Sequence, residues 1–205
     1  MPDEASTAVT GVILAGGQSR RMGQNKALMQ LGGERLIDRV LGAMRQVCSE
    51  LLMVTNNPEL YADLGVPMVG DVYPDKGSLG GIYSGLYHAS TPYSLVVACD
   101  MPFLRADILQ YLLNQRSDYD VVMPDVLGEQ QPLHAIYHRV CLEPIVRRLD
   151  ANRLKIVGFL PDVRVRTVTE DELRPIDPDL RTFQNLNTPE DFNAASLSRD
   201  PRSKS

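Results

Sequence analysis

Two short apolar runs stop abruptly on residues that a strand does not continue through. VTGVIL (9–14) ends at Ala15-Gly16-Gly17, and YSLVVAC (93–99) ends at Asp100 with Pro102 just beyond. A half-exposed strand alternates apolar and polar residues. A near-continuous apolar run belongs to a strand covered on both faces. Proline removes an amide that the sheet ladder needs, so the second run cannot extend past it. Strands covered on both faces occur in parallel sheets flanked by helices, and the alternation of strands with helical patterns along the chain implies that α/β class.

The rest of the pattern agrees. Leu36, Ile37, Val40, Leu41, Met44 and Val47 recur at helical spacing, which predicts an amphipathic helix over 35–48. A strand follows at 51–55, a short helix with proline in its first turn at 58–64, and a third strand at 66–69. Further helices are expected at 80–89, 106–115, 142–149 and 153–160, and strands at 119–124 and 132–137. VRVRTV (163–168) alternates as an edge strand does. Thr188, Pro189 and Asp191 spell a helix start. No repeat or linker divides the chain. One domain is expected over 9–195, with flexible ends at 1–8 and 196–205. In sheets of this kind ligands bind beyond the carboxyl ends of the strands, which selects the loops after Leu14, Val69 and Cys99.

A formal net charge of -5 over 205 residues gives no basic face for nucleic acid, so no nucleic-acid partner is expected. The first ten residues hold no long apolar stretch, and no run reaches the ~18 apolar residues of a membrane span. A cytoplasmic protein without membrane contact is expected. Cys48, Cys99 and Cys141 are too far apart for a zinc or redox motif and are read as small core residues.

The loop LAGGQSRRMGQNK (14–26) follows the first strand. Gly16 and Gly17 let bare amides point at phosphate oxygens, while Arg20, Arg21 and Lys26 supply charge to neutralise a polyphosphate. It is not a P-loop, because Lys26 follows Asn25 and precedes Ala27, and GxGxxG is absent. The competing reading is a turn with solvated charges. Asp100, just past the most apolar strand, suits a hard cation such as Mg²⁺, which needs only one or two carboxylates besides phosphates and water. The competing role is a cap for the helix near Arg105.

The segment LAGGQSRRMGQNKAL resembles the signature of nucleotidyltransferases similar to molybdenum cofactor guanylyltransferase: a strand, LAGG, Ser, Arg-Met-Gly, then lysine three residues after the last glycine. Gly17 separates it from relatives that read LAAG, among them sugar-phosphate and cytidylyl transferases. CDMP (99–102), GSLGGI (77–82, with serine where the family has proline) and NLNTPED (185–191) match further family segments in the expected order. The resemblance spans about Val9 to Asn193.

That resemblance implies a three-layer, Rossmann-like nucleotidyltransferase fold with a mostly parallel central sheet and helices on both faces. It implies that GMP passes from GTP to the terminal phosphate of molybdopterin or molybdenum cofactor, with pyrophosphate leaving and Mg²⁺ as cofactor. Arg20, Lys26 and Asp100 are then catalytic, and Asp100 binds the metal. Leu14, Ala15, Gly16, Gly17, Lys26, Asn56, Asp71, Gly80 and Asp100 contact the nucleotide. The register at Asn56 is open by one residue. His134, Asn185 and Asn187 border the pterin, although the two asparagines serve equally well as caps of the last helix. His134 and His138 share a strand face without a third ligand for zinc, and His88 is a surface residue. Proteins that deliver the pterin, and molybdoenzymes, are implied as transient partners. A cytidylyl- or sugar-phosphate nucleotidyltransferase is the alternative enzyme, and a nucleotide-binding module without turnover is the other class.

Overall fold

Strand β1 (Val9–Leu14) is paired in parallel with β4 (Glu50–Val54) on one side and β6 (Tyr93–Ala98) on the other. The computed structural model describes residues 8–16, 25–186, 191–192 and 195. Of the flexible ends expected at 1–8 and 196–205, residues 1–7 and 196–205 lie outside the described residues, as do most of the glycine-rich loop (17–24) and the helix start at 187–190. No helix among the described residues is long and apolar enough to cross a membrane.

The sheet runs in the order β10-β7-β9-β6-β1-β4-β5, with β5 at Met68–Val69, β7 at Val121–Val126, β9 at His134–His138 and β10 at Val165–Thr169. Pairing is parallel except where β9 lies antiparallel between β6 and β7, and where β8 (Glu129–Gln130) folds back on β7. The edge position expected for 163–168 holds for β10.

Side chains alternate across each strand, so Val12 and Val96 face one layer while Ile13 and Val97 face the other. Helices α1 (Leu36–Met44) and α3 (Ala106–Asn114) cover the Ile13 side through Leu41, Met44, Ile108 and Leu112. Helices α2 (Gly77–His88) and α4 (Leu142–Asp150) cover the Val12 side through Ile82, Leu86, Ile145 and Leu149. Both central strands are therefore buried on both faces, which is why their sequences do not alternate. This is the mostly parallel sheet between two helical layers that the sequence resemblance implies.

Among the elements that differ from expectation, three bear on the cleft side or its neighbours in the chain. Helix α2 begins at Gly77, three residues before the predicted start. Glycine is a poor helix former, so the pattern understated a turn that tertiary packing supports. Residues 153–160 form a 3₁₀ segment at Ile156–Asp162 instead of a regular helix. A small hairpin, β2 (Gln30–Leu31) and β3 (Glu34–Arg35), went unpredicted. Its turn is Gly32-Gly33, both at positive φ (62° and 84°), and that glycine pair was an available hairpin signal. Leu31, Leu36, Phe103, Leu186 and Phe192 pack together, which ties this hairpin to the carboxyl-terminal segment.

Candidate nucleotide-binding cleft

The ends of β1 and β6 emerge side by side because Leu14 is in register with Ala98. The Cys99 amide donates to Leu14 O at 3.2 Å, and the Ala15 amide crosses to Val54 O at 2.9 Å. Thr55 joins the same rim, its amide donating to Val69 O at 2.9 Å and its hydroxyl to Ala15 O at 3.3 Å. Above this edge opens a cleft of about 700 Å³. Leu14, Ala15 and Gly16 form part of its wall, and Lys26, Asn56, Asp71 and Asp100 reach it from four separate segments. The loops after Leu14, Val69 and Cys99 meet here, as the strand-end rule predicts.

Helix α2 closes one side. Its approach to β1 depends on Gly85, where a Cβ would lie 2.4 Å from Val12 Cγ1. The chain enters the helix through a tight turn, with Asp75 at φ 61° and Gly77 at φ 58°. The Ser84 hydroxyl anchors that turn by accepting the Val72 amide at 2.9 Å while donating to Gly80 O at 2.8 Å. Gly77, Ser78 and Gly81 line the cleft. Gly80 was expected at the nucleotide, but the structure turns it away. A Cβ there would meet Lys76 Cβ at 2.9 Å and Tyr73 O at 3.0 Å, and the Gly80 amide bonds to Lys76 O. Its lack of a side chain serves the turn.

Asn56 and Asp71 hold each other. Asn56 Nδ2 donates to Asp71 Oδ2 at 2.9 Å, and the Asp71 amide donates to Asn56 Oδ1 at 3.0 Å. This settles which of the neighbouring asparagines faces the cleft. Asn57 starts the 3₁₀ turn at Pro58–Leu64. The Asp71 carboxylate keeps lone pairs for further donors.

Asp100 is half-buried at the end of β6. Desolvation raises its pKa above the usual carboxylate value, and the Lys26 charge opposes that shift. It does not cap α3, whose N-cap is Arg105. Desolvation also pushes the neighbouring Cys99 thiol up to about 12, so it stays protonated. Asp71, Asp75 and Asp100 make the described wall acidic, with Lys26 against them. A single desolvated carboxylate beside open space suits Mg²⁺ held jointly with phosphates and water, and the donor set therefore fits that ion. Among the described residues no group of three or more His, Cys, Asp or Glu side chains converges for an all-protein metal cage.

The three pterin-side candidates fare differently. Asn185 is exposed, and its neighbour Leu186 donates its amide to Asp100 O at 3.4 Å, which brings the segment to the Asp100 end of the cleft. Asn187 lies outside the described residues. His134 is fully buried against Phe183, with 4.6 Å between ring centroids, and does not line the cleft, so direct contact with an acceptor does not follow from its position. Its alternation parity did not reveal this, because Phe183 arrives from a distant part of the chain.

Burial pushes the His134 pKa down to about 3. Between that value and its usual 6.5 the unfolded chain binds a proton that the native ring does not. Stability from this group therefore falls with pH, by about 2 kcal/mol between pH 6.5 and pH 5. Thermal melts at pH 7 and pH 5 should show a smaller pH-dependent drop in His134→Leu than in the wild type. Equal drops would contradict the neutral buried ring.

Comparison with known proteins decides the family. Residues 11–162 match the family model described as MobA-like NTP transferase domain. A molybdenum cofactor guanylyltransferase of Desulfosudis oleivorans is 42% identical over 190 residues, covering 92% of this chain and 94% of the relative. The chain belongs to the molybdenum cofactor guanylyltransferase family. A probable family member from Pelotomaculum thermopropionicum is also 42% identical, over 89% of each chain. Molybdopterin-guanine dinucleotide biosynthesis protein A from Archaeoglobus fulgidus superposes with a TM-score of 0.79 at 27% identity, over 91% of this chain and 96% of that one. A 4-diphosphocytidyl-2C-methyl-D-erythritol synthase from Anaerococcus prevotii superposes at 0.71 with 13% identity, over 95% and 97% of the two chains. That likeness extends to the fold alone.

Sequence reasoning missed Asn25, Tyr61 and Leu133 on the cleft wall. Ser78 belongs with them. Asp75 also lines the cleft, from a turn that enters α2. Its left-handed backbone and cleft position were not legible from composition.

Proposed function

We propose that this protein transfers GMP from GTP to the terminal phosphate of molybdopterin, with or without its metal, releasing pyrophosphate and forming the guanine dinucleotide cofactor. The observation that carries the guanine assignment is the Asp71 carboxylate fixed by Asn56 on the cleft wall. The N1–H and N2–H₂ groups of guanine are donors that a carboxylate accepts, whereas cytosine offers that edge mostly acceptors.

The acceptor phosphate is already anionic, so no general base is needed. An acceptor oxygen bonds to the α-phosphorus of GTP while the bond from that phosphorus to the β-bridging oxygen breaks. Catalysis then consists of alignment and charge neutralisation. Lys26 and the Gly16 backbone grip the β- and γ-phosphates, and the motif adds Gly17, Arg20 and Arg21 from outside the described residues. Asp100 is assigned as the protein ligand of Mg²⁺, whose chemistry when bound is neutralisation of phosphate charge. Asn185 and Asn187 are placed on the pterin side, beside Asp100. His134 keeps at most an indirect part there, through Phe183. The cofactor passes onward from this site, so pterin-delivering proteins and molybdoenzymes are transient partners in the same proposal, set in the cytoplasm.

The deciding assay is pyrophosphate release with molybdopterin and each of the four ribonucleoside triphosphates, which should proceed with GTP. Turnover with CTP or UTP in preference to GTP would replace the reading by the cytidylyl or sugar-phosphate alternative. Asp71→Ala should weaken GTP binding about 10- to 100-fold in calorimetry, the range of one or two charge-assisted hydrogen bonds. ITP lacks the 2-amino group, so it should bind the wild type more weakly than GTP and bind the alanine variant equally well. Persistence of the GTP–ITP gap in Asp71→Ala would remove Asp71 from the base.

A further inference from the structure

The residue preceding Lys26 has its side chain engaged at both ends. Asn25 Oδ1 accepts the Ala27 amide at 3.1 Å and so caps the single 3₁₀ turn Lys26–Leu28. Asn25 Nδ2 donates to the Tyr61 hydroxyl at 2.8 Å. Tyr61 is 1% exposed and comes from the turn Pro58–Leu64, which begins two residues after Asn56. Asn25 and Tyr61 both line the cleft. Ala27, on the other side of the lysine, is fully buried. One amide thus joins the turn that carries Lys26 to the segment leaving the Asn56–Asp71 pair.

The consequence follows from the lysine itself. Its ammonium sits at the end of four flexible bonds, so the backbone from which it starts decides where the charge can go. A displacement of about 1 Å at a reacting centre can cost about 10²-fold in rate. Asn25 alone could cap the turn, but a cap leaves the turn free to move relative to the sheet. The hydrogen bond to a buried tyrosine removes that freedom.

We propose that Asn25 and Tyr61 are a positioning pair that holds Lys26 against the departing pyrophosphate. The inference rests on the nucleotidyl-transfer reading above. It assigns a role to two residues that make no chemistry of their own, and it couples the phosphate side of the cleft to the base side.

Two variants separate positioning from plain capping. Asn25→Ser keeps a capping oxygen but is too short to reach Tyr61. Tyr61→Phe keeps the buried ring and removes only the hydroxyl. Each should lower kcat about tenfold, equivalent to about 1.4 kcal/mol, and weaken pyrophosphate inhibition by a similar factor. Their melting temperatures should stay within a few degrees of the wild type. The readout that a structural role would not move is the double-mutant cycle. In a Lys26→Ala background, Tyr61→Phe should cost nothing further, since the positioned group is gone. Wild-type kcat in both single variants, or an undiminished tenfold loss on top of Lys26→Ala, would overturn the proposal. If the wild type itself released no pyrophosphate from GTP and molybdopterin, the transfer reading would fall. The same cycle on calorimetric GTP affinity would then judge the pair, with additivity against it and non-additivity for it.

Discussion

Asp100→Ala should lower guanylyl transfer by about 10³-fold or more at saturating GTP and Mg²⁺, with the protein still folded. Charge stabilisation of a transferring phosphoryl group is usually the largest single contribution to such a reaction, and loss of one oxyanion donor alone costs about 10² to 10³. Asp100 is the carboxylate at the β6 end, beside Gly16 and Lys26 in the cleft wall. Its surroundings do not stabilise it, because desolvation dominates its environment and raises its pKa. A carboxylate kept in a desolvated place at a strand end is a candidate functional group. Removing it should therefore cost no stability, and the variant should melt at or above the wild-type temperature. Pyrophosphate release and a thermal melt test both halves. Full turnover by Asp100→Ala with Mg²⁺ would overturn the metal assignment. A large drop in melting temperature would show that Asp100 is structural.

Lys26→Ala should reduce kcat/KM for GTP by about 10- to 100-fold, the loss of one hydrogen bond to a charged group. Charge accumulates on the departing pyrophosphate, so the product should feel the loss as strongly as the substrate does. Pyrophosphate inhibition should weaken by a similar factor. Lys26→Arg should restore only part of the activity, because a planar guanidinium presents its donors differently from a compact ammonium. If neither GTP affinity nor pyrophosphate inhibition changed on titration, Lys26 would not be part of the triphosphate grip. Arg20 and Arg21 would then be the next residues to replace.

The uneven legibility of the site has a physical pattern. The cleft positions of Ala15, Gly16 and Asp100 were readable because each comes just after a strand whose apolar run is evident. A residue just beyond a doubly covered strand must lie at the sheet edge where such folds bind ligands, so position and chemistry coincide. Gly80 misled because a glycine required by a close turn and a glycine required by a ligand look alike in sequence. The contact with Tyr73 O supplies the first reason. His134 misled because its strand parity was known but its cover was not.

The α/β class, the two doubly covered strands and the places of the strand-end loops were legible in the residues alone. These features are local, and each follows from a proline, a glycine or an unbroken apolar run acting on its own neighbours. Only the tertiary structure decided that Asn56 rather than Asn57 grips Asp71, that Leu186 brings Asn185 to Asp100, and that Tyr61 reaches Asn25. The first of these pairs joins residues 15 positions apart and the last joins residues 36 apart. Such meetings depend on strand order and register, which arise from packing the whole sheet. No local propensity encodes them, and they bring side chains from distant segments onto one cleft.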